Sequence, residues 1–446
     1  MSVDEHPLRH ILRVNGWSAT EYLARLSPIH AQLGHGTIPL DRKRVHRWIK
    51  RGIAPSMPAQ RAMARLHKIP EREITARPWP MWLALACHSD RSTTAPWTPE
   101  GTLELLDHAA AGGPVDRRGF MIGTGLAPVL AGAASATPAH AQTTGRQIGA
   151  ATPALFEECL AVLRRQDDQF GSGQVHASAR AQLRLITGTL RDAAYTEHTG
   201  RRLYAAAAEA ARICAWTAYD SGRHALAEEF YITALRAAAT ADDPVVTANT
   251  LAFWSIQRYS TGDPHGAADL VTHALSLSHR IGSPRMDAML LTRLARAHAQ
   301  AGDERASHRA QDAALTEFST AESRSPEDDP DCVYWVNLAE LHMLHGSCAL
   351  NLGHPKQALA QFDAAGEQYR GHDFPRAAVI YLARSAEAQI RLRDLDGAVA
   401  TAHTAIAHIG GVQSARGSST LKDLRERFAD HSDAPVVRHF LLTTAA

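Results

Sequence analysis

Residues 8 to 85 read as a run of short helices, with apolar positions recurring at helical spacing in four short bursts set apart by capping residues, glycines and prolines. Leu8, Ile11 and Leu12 form the first stripe. Ser18 stands as an N-cap before the second, "WSATEYLARL", which places Tyr22, Leu23 and Leu26 on one face. Asp41 opens the third, "RKRVHRWIKRG", which ends at Gly52 and Pro55, and "SMPAQRAMARLHKIP" makes the fourth, from Ser56 to Pro70. On the third helix Val45, Trp48 and Ile49 share a narrow arc. The opposite arc therefore carries Lys43, Arg47 and Lys50, with His46 beside them, Arg42 and Arg44 at the flanks and Arg51 at the end.

From residue 153 onward the helical pattern is nearly continuous, and it repeats. Five turns align on Gly222, Gly262, Gly302, Gly353 and Arg393, spaced 40, 40, 51 and 40 residues apart. Five residues after each anchor stands a small residue (Ala227, Ala267, Ser307, Ala358, Ala398), and twelve after it an alanine (Ala234, Ala274, Ala314, Ala365, Ala405). Seven before it the residue is again small: Ala215, Ser255, Ala295, Gly346 and Ala386. Small side chains at these positions let two helices of a hairpin, and the next hairpin, approach closely, with the glycine supplying the turn. Only the fifth copy lacks that glycine.

Between these regions, residues 89 to 150 are rich in Ser, Thr, Pro, Gly and Ala and read as a linker with one short helix at "PEGTLELLDHAAAGG". Within it, "DRRGFMIGTGLAPVLAGAASATPAHAQ", residues 116 to 142, has the look of an export signal: Arg117 and Arg118, an apolar run, an A-x-A-like close. Its arginines are internal, behind a basic helical module, so it is expected to remain uncleaved as an Ala/Gly-rich tether.

Charge separates the two regions. The first 80 residues hold fourteen Lys and Arg against six Asp and Glu, a net +8, and leave −7 for the remainder of a chain whose total is +1. A basic module on a mildly acidic body suggests an anionic partner for the module alone, nucleic acid first. The five cysteines, Cys87, Cys159, Cys214, Cys332 and Cys348, contain no C-x-x-C pair and suggest neither a disulfide framework nor a structural zinc site. No run reaches the roughly 20 apolar residues of a membrane span; residues 120 to 136 are broken by Gly123, Gly125 and Pro128. "GTGLAPVLAG" lacks the lysine of a phosphate loop, there is no H-E-x-x-H, and His342 and His345 fall at repeat positions used for packing. No enzyme activity, metal or cofactor is expected.

Three stretches, "GWSATEYLARL", "DRKRVHRWIKRGIAPSMP" and "AMARLHKI", resemble helices two, three and four of lambda-repressor-like (XRE-type) domains, although "SPIHAQLGHGTIPL" is longer than their usual turn of three or four residues. The fifteen small positions match the tetratricopeptide (TPR) pattern. The whole layout resembles actinobacterial regulators that join an XRE-type helix-turn-helix to TPR repeats. The expected fold is therefore all-α: a helix-turn-helix domain over 1–88, a flexible linker over 89–150 and a TPR-like solenoid of helical hairpins over 151–433. The resemblance implies that Arg42, Lys43, Arg44, His46, Arg47, Lys50 and Arg51 meet DNA. It also implies that the first helix of each hairpin lines a concave groove, presenting Arg212, Trp216, Asn249, Tyr259, Arg296, Gln300, Glu340 and Asn351 to a peptide or small-molecule effector. The implied function is a cytoplasmic, dimeric transcription regulator that binds double-stranded DNA and no membrane. A TPR scaffold whose basic module binds protein or RNA, and an exported TPR protein, are the competing readings.

Overall fold

The structure, a computed structural model, describes residues 6–14, 16–67, 69, 71, 74–75, 78–83, 95–111, 126–369, 375–409 and 415–444. The chain is predominantly helical, and strand structure among the described residues is confined to short pairings. The described residues divide into two compact units, one up to Ala95 and one from Pro96 onward.

The first unit contains α1 (Pro7–Val14), α2 (Ala19–Gln32), α3 (Arg42–Lys50) and α4 (Met57–Leu66). Ser18 and Glu21 close a capping box at the start of α2: the Ser18 hydroxyl accepts from the Glu21 amide at 3.2 Å, and the Glu21 carboxylate accepts from the Ser18 amide at 2.7 Å. Leu8, Ile11, Tyr22, Leu23, Leu26, Val45, Trp48 and Met63 form a single core. The sequence pattern ends α2 near Leu26, but the helix runs on to Gln32 with Pro28 inside it. Ile29 and Leu33 extend the Tyr22–Leu26 stripe onto the core, and this burial offsets the hydrogen bond that Pro28 removes. The connector before α3 is thereby shortened to residues 33–41. It is pinned by Ile38, whose side chain is buried and whose amide donates to the Ser27 hydroxyl at 3.0 Å.

In the second unit the five repeats are five helical hairpins: Glu197–Asp220 with His224–Ala241, Pro244–Ser260 with Pro264–Leu275, Pro284–Gln300 with Glu304–Glu322, Leu338–Asn351 with Pro355–Tyr369, and Pro375–Arg391 with Leu395–Ile409. Each hairpin packs on the next. All five anchor residues have positive φ: Gly222 72°, Gly262 92°, Gly302 78°, Gly353 88° and Arg393 65°. The turn is thus the same in every copy, and the fifth makes it with a residue that disfavours that conformation. The small positions are buried throughout. Across one hairpin the Ser307 hydroxyl donates to the Ala295 carbonyl at 3.0 Å. In the next, a Cβ on Gly346 would lie 2.7 Å from a Phe362 ring carbon and 3.1 Å from the Ala358 carbonyl. The 51-residue spacing is explained by a connector between Glu322 and Leu338 that holds two 3-10 turns, Pro326–Asp328 and Asp331–Val333.

Two boundaries differ from the sequence expectation. Much of the segment assigned to a flexible linker, 89–150, is built into the body. Leu105, Leu106, Ala109 and Ala110 of the helix Pro99–Ala111 are buried, and that helix packs on Ser172–Asp192 and His224–Ala241. Thr102 and Thr240 share a hydrogen bond of 2.9 Å, Tyr204 donates to the Pro99 carbonyl at 3.0 Å, and the Arg236 guanidinium lies 4.0 Å over the Trp97 ring. Further on, helix Ala127–Ala134 contacts His224–Ala241, Gln142 bridges Tyr195, and Arg146–Gln147 pairs in parallel with Ala193–Ala194. The apolar positions in an Ala/Gly-rich stretch are few, but they fall on one face and bury. The arginine pair of the signal-like stretch, Arg117 and Arg118, lies outside the described residues. At the other end the body continues past 433: helix Pro435–Thr443 buries Val437 and Phe440, the latter ring 4.8 Å from Phe428.

Because Leu106 is fully buried, Leu106→Ala is expected to lower the stability of the body by about 2 to 5 kcal/mol. A denaturant midpoint unchanged for the body's transition would mean that the segment is a tether after all. Arg393→Gly is expected to stabilise the protein by up to about 1 kcal/mol, since relief of the left-handed conformation outweighs the added freedom of glycine in the unfolded chain. Differential scanning calorimetry of the two proteins checks this, and a lowered melting temperature would contradict it.

Candidate functional site

Two sets of side chains stand out, one in each unit. In the first, the Asp41 carboxylate accepts from the Lys43 amide at 2.9 Å and starts α3. Val45 and Trp48 then lock one side of the helix into the core, with Ile49 half-buried beside them. This fixes what faces outward. Arg42, Lys43, His46, Arg47, Lys50 and Arg51 are exposed and Arg44 is half-buried, and none of the seven makes an ion pair among the described residues. The helix exit is held by Gln60, whose amide donates to the Pro55 carbonyl at 2.8 Å and whose carbonyl accepts from the Trp82 indole at 3.0 Å. A rigid, unpaired cationic face of this kind can bind phosphates and present donors to base edges.

In the second unit a cavity of about 430 Å³ is lined by the first helix of every hairpin. Of the eight groove residues expected from the sequence, Arg212, Trp216, Asn249, Tyr259, Arg296, Gln300 and Glu340 line it. Asn351 does not; its side-chain oxygen instead accepts from Arg384 at 3.3 Å. Sequence reasoning missed three groups of lining residues. Arg164, Asp167 and Asp168 come from helix Ala151–Phe170, Cys332, Tyr334 and Trp335 from the long connector, and Phe253, Arg293 and Arg384 from the hairpins. The unequal repeat spacing of 51 residues was the available signal for the connector.

Two of the lining arginines, Arg164 and Arg212, are joined by one carboxylate that is not itself among the lining residues. Glu209 is buried and accepts from Arg212 at 2.7 and 2.8 Å and from Arg164 at 2.9 Å. Burial alone would raise its carboxyl, but the Arg212 and Arg164 guanidiniums hold it at about 2. Arg164 also pairs with Asp331, which ties the long connector to helix Ala151–Phe170, and Tyr334 donates to Asp168 across the same junction. The aromatic wall follows from these pairs. Arg212 lies 4.5 Å over Phe253, Phe253 meets Trp216 edge-on at 5.0 Å, and the Trp216 indole donates to Asp167 at 2.8 Å. Arg293 lies 5.3 Å over Trp335 and 3.6 Å from Glu340. Burial lifts the Cys332 thiol to about 12, which keeps it neutral.

His342 bonds to Gln361 at 2.8 Å, and burial lowers His345 to about 4. No group of three or more His, Cys, Asp or Glu suited to a metal occurs among the described residues. No helix among them is long and apolar enough to cross a membrane. Comparison with family models and with curated proteins gives no match for this chain.

Glu209 makes the stability of the body sensitive to acid. Its folded-state carboxyl lies below the ordinary 4.5, so its contribution is complete above about pH 4.5 and is lost as pH falls towards 2. Glu209→Gln is expected to cost roughly 3 to 5 kcal/mol at neutral pH by stranding Arg212 and taking one of the two acids from Arg164, with the gap to the parent protein closing between pH 4.5 and 2. Urea unfolding across that range measures it; a gap independent of pH would contradict the assignment.

Proposed function

We propose that the protein is a transcription regulator that binds duplex DNA through α3 and senses a ligand in the cavity of its helical body. The single observation that supports DNA binding most strongly is the exposed face of α3, where six cationic or titratable side chains stand free of carboxylates on a helix anchored by Val45 and Trp48. The order of α2, α3 and α4 fits an XRE-type helix-turn-helix in which α3 enters the major groove. The hairpins with small residues at their contacts fit a TPR array, and the concave cavity supports a sensing role over a purely structural one. In this reading the protein is not an enzyme, acts in the cytoplasm, and places two α3 helices on DNA as a homodimer.

Arg47 and Lys43 lie one turn apart on that face. If Arg47 pairs with a base edge, Arg47→Ala is expected to cost about 1 to 3 kcal/mol on the specific site and to relax preference at one base pair. Lys43→Ala, losing a phosphate contact, is expected to weaken binding to all sequences alike and to reduce the salt slope by about one. Footprinting and salt titration on duplex DNA measure both. Wild-type affinity in the double variant would remove α3 as the reader, and binding confined to RNA or to a protein partner would support the scaffold reading instead.

A further inference from the structure

The cavity contains an unbalanced pair of cations. Arg164 and Arg212 are met by Glu209 and Asp331, and Arg293 faces Glu340. Arg296 and Arg384 form no ion pair among the described residues. Arg296 is only 4% exposed and lies 5.4 Å over the Tyr259 ring. Its Nη1 is buried and has no hydrogen-bond partner; the neighbouring thiol, Cys348, is neutral because burial raises it. The half-buried Arg384 is held by the neutral side chain of Asn351. Burial, with the like charge of Arg296, lowers Arg384 to about 10, so the two guanidiniums feel one another while both are charged at neutral pH.

Among the described residues no carboxylate pairs with either of them. Glu387, the acid that Arg384 does feel, accepts from Arg391 at 2.6 Å and lies 3.3 Å from Arg427. Asp167 accepts from Trp216 and Ser172, and Asp168 from Tyr334. Asp423 lines the cavity from an exposed position. Two like charges held together in a desolvated place are costly unless an anion joins them. Trp216, Phe253, Tyr259 and Trp335 supply an aromatic wall, with Ile256, Leu344 and Ile380 also in the lining.

We propose that the cavity binds a small organic acid, with Arg296 and Arg384 clamping its anionic group and the aromatic wall holding its apolar body. The volume of about 430 Å³ falls in the range of sites for small ligands, roughly 300 to 1,000 Å³. Asn351, although outside the lining, acts as a positioning residue by aiming Arg384. The inference rests on the reading of the cavity as a ligand site and adds the chemistry that the site selects.

A pair of fluorescent probes tests it on the full chain: 1-anilinonaphthalene-8-sulfonate, and N-phenyl-1-naphthylamine, which keeps the aromatic body and lacks the sulfonate. The sulfonate is expected to bind saturably, one per chain, at least tenfold more tightly than the neutral amine. Arg296→Gln and Arg384→Gln are each expected to weaken the sulfonate about tenfold or more while leaving the amine unchanged, and Arg296→Lys to restore part of the loss. Circular dichroism establishes that each variant is folded, and Arg384→Gln carries the test if Arg296→Gln is not. Ile380→Trp, which fills the cavity, is expected to abolish both signals. Saturable binding of the amine with no advantage for the sulfonate, or equal losses of both probes in the arginine variants, overturns the anion site alone. Failure of both probes to bind the parent protein overturns the cavity as a ligand site, and this inference with it.

Discussion

At Gly346, an added Cβ would sit 2.7 Å from the Phe362 ring and 3.1 Å from a backbone carbonyl. The helical body depends on that closeness of approach, repeated in each hairpin at positions where Ala, Ser or Gly is buried. Large side chains at those contacts would hold the helices apart. With small ones, the paired helices meet along their length and the turn between them is forced tight, which is why all five turn residues have positive φ. The same spacing sets the first helix of every hairpin around one cavity, so the site follows from the packing rule of the body.

The cavity has its own electrostatic logic. Glu209 joins Arg164 of one helix to Arg212 of another, and Asp331 brings the long connector against Arg164. These pairs close one side and fix the aromatic wall by stacking Phe253 under Arg212 and Trp335 near Arg293. The other side holds Arg296 and Arg384 with no ion pair among the described residues, a difference within one cavity that packing alone does not require. In the basic unit the order is reversed: apolar Val45 and Trp48 fix the helix, and the cations stay on the outside.

How much of this was legible in the sequence depends on what kind of signal each part leaves. The small positions and turn anchors recur at fixed offsets, so the hairpins and seven of the residues on their first helices that reach the cavity could be read directly. Tyr334 and Trp335 could not, because they sit in an insertion that belongs to no repeat. Arg384 was missed and Asn351 misassigned for a related reason: periodicity selects a helix face, whereas the bond between these two side chains decides which of them reaches the cavity. The segment from Pro96 to Ala150 was hidden by its Ala, Gly and Pro content, which masks the buried stripe of Leu105, Leu106, Ala109 and Ala110. Pro28 hid the end of α2 in the same way, since a local breaker was overridden by burial of Ile29 and Leu33.

We propose that α3 reads DNA while the helical body senses a ligand, and the first of these is the central claim. Genome-wide mapping of DNA bound by the full-length protein in cells tests it most directly. The expected result is a limited set of discrete sites sharing one sequence, lost when Arg47 is replaced by alanine. Uniform association with DNA, or none, would contradict it.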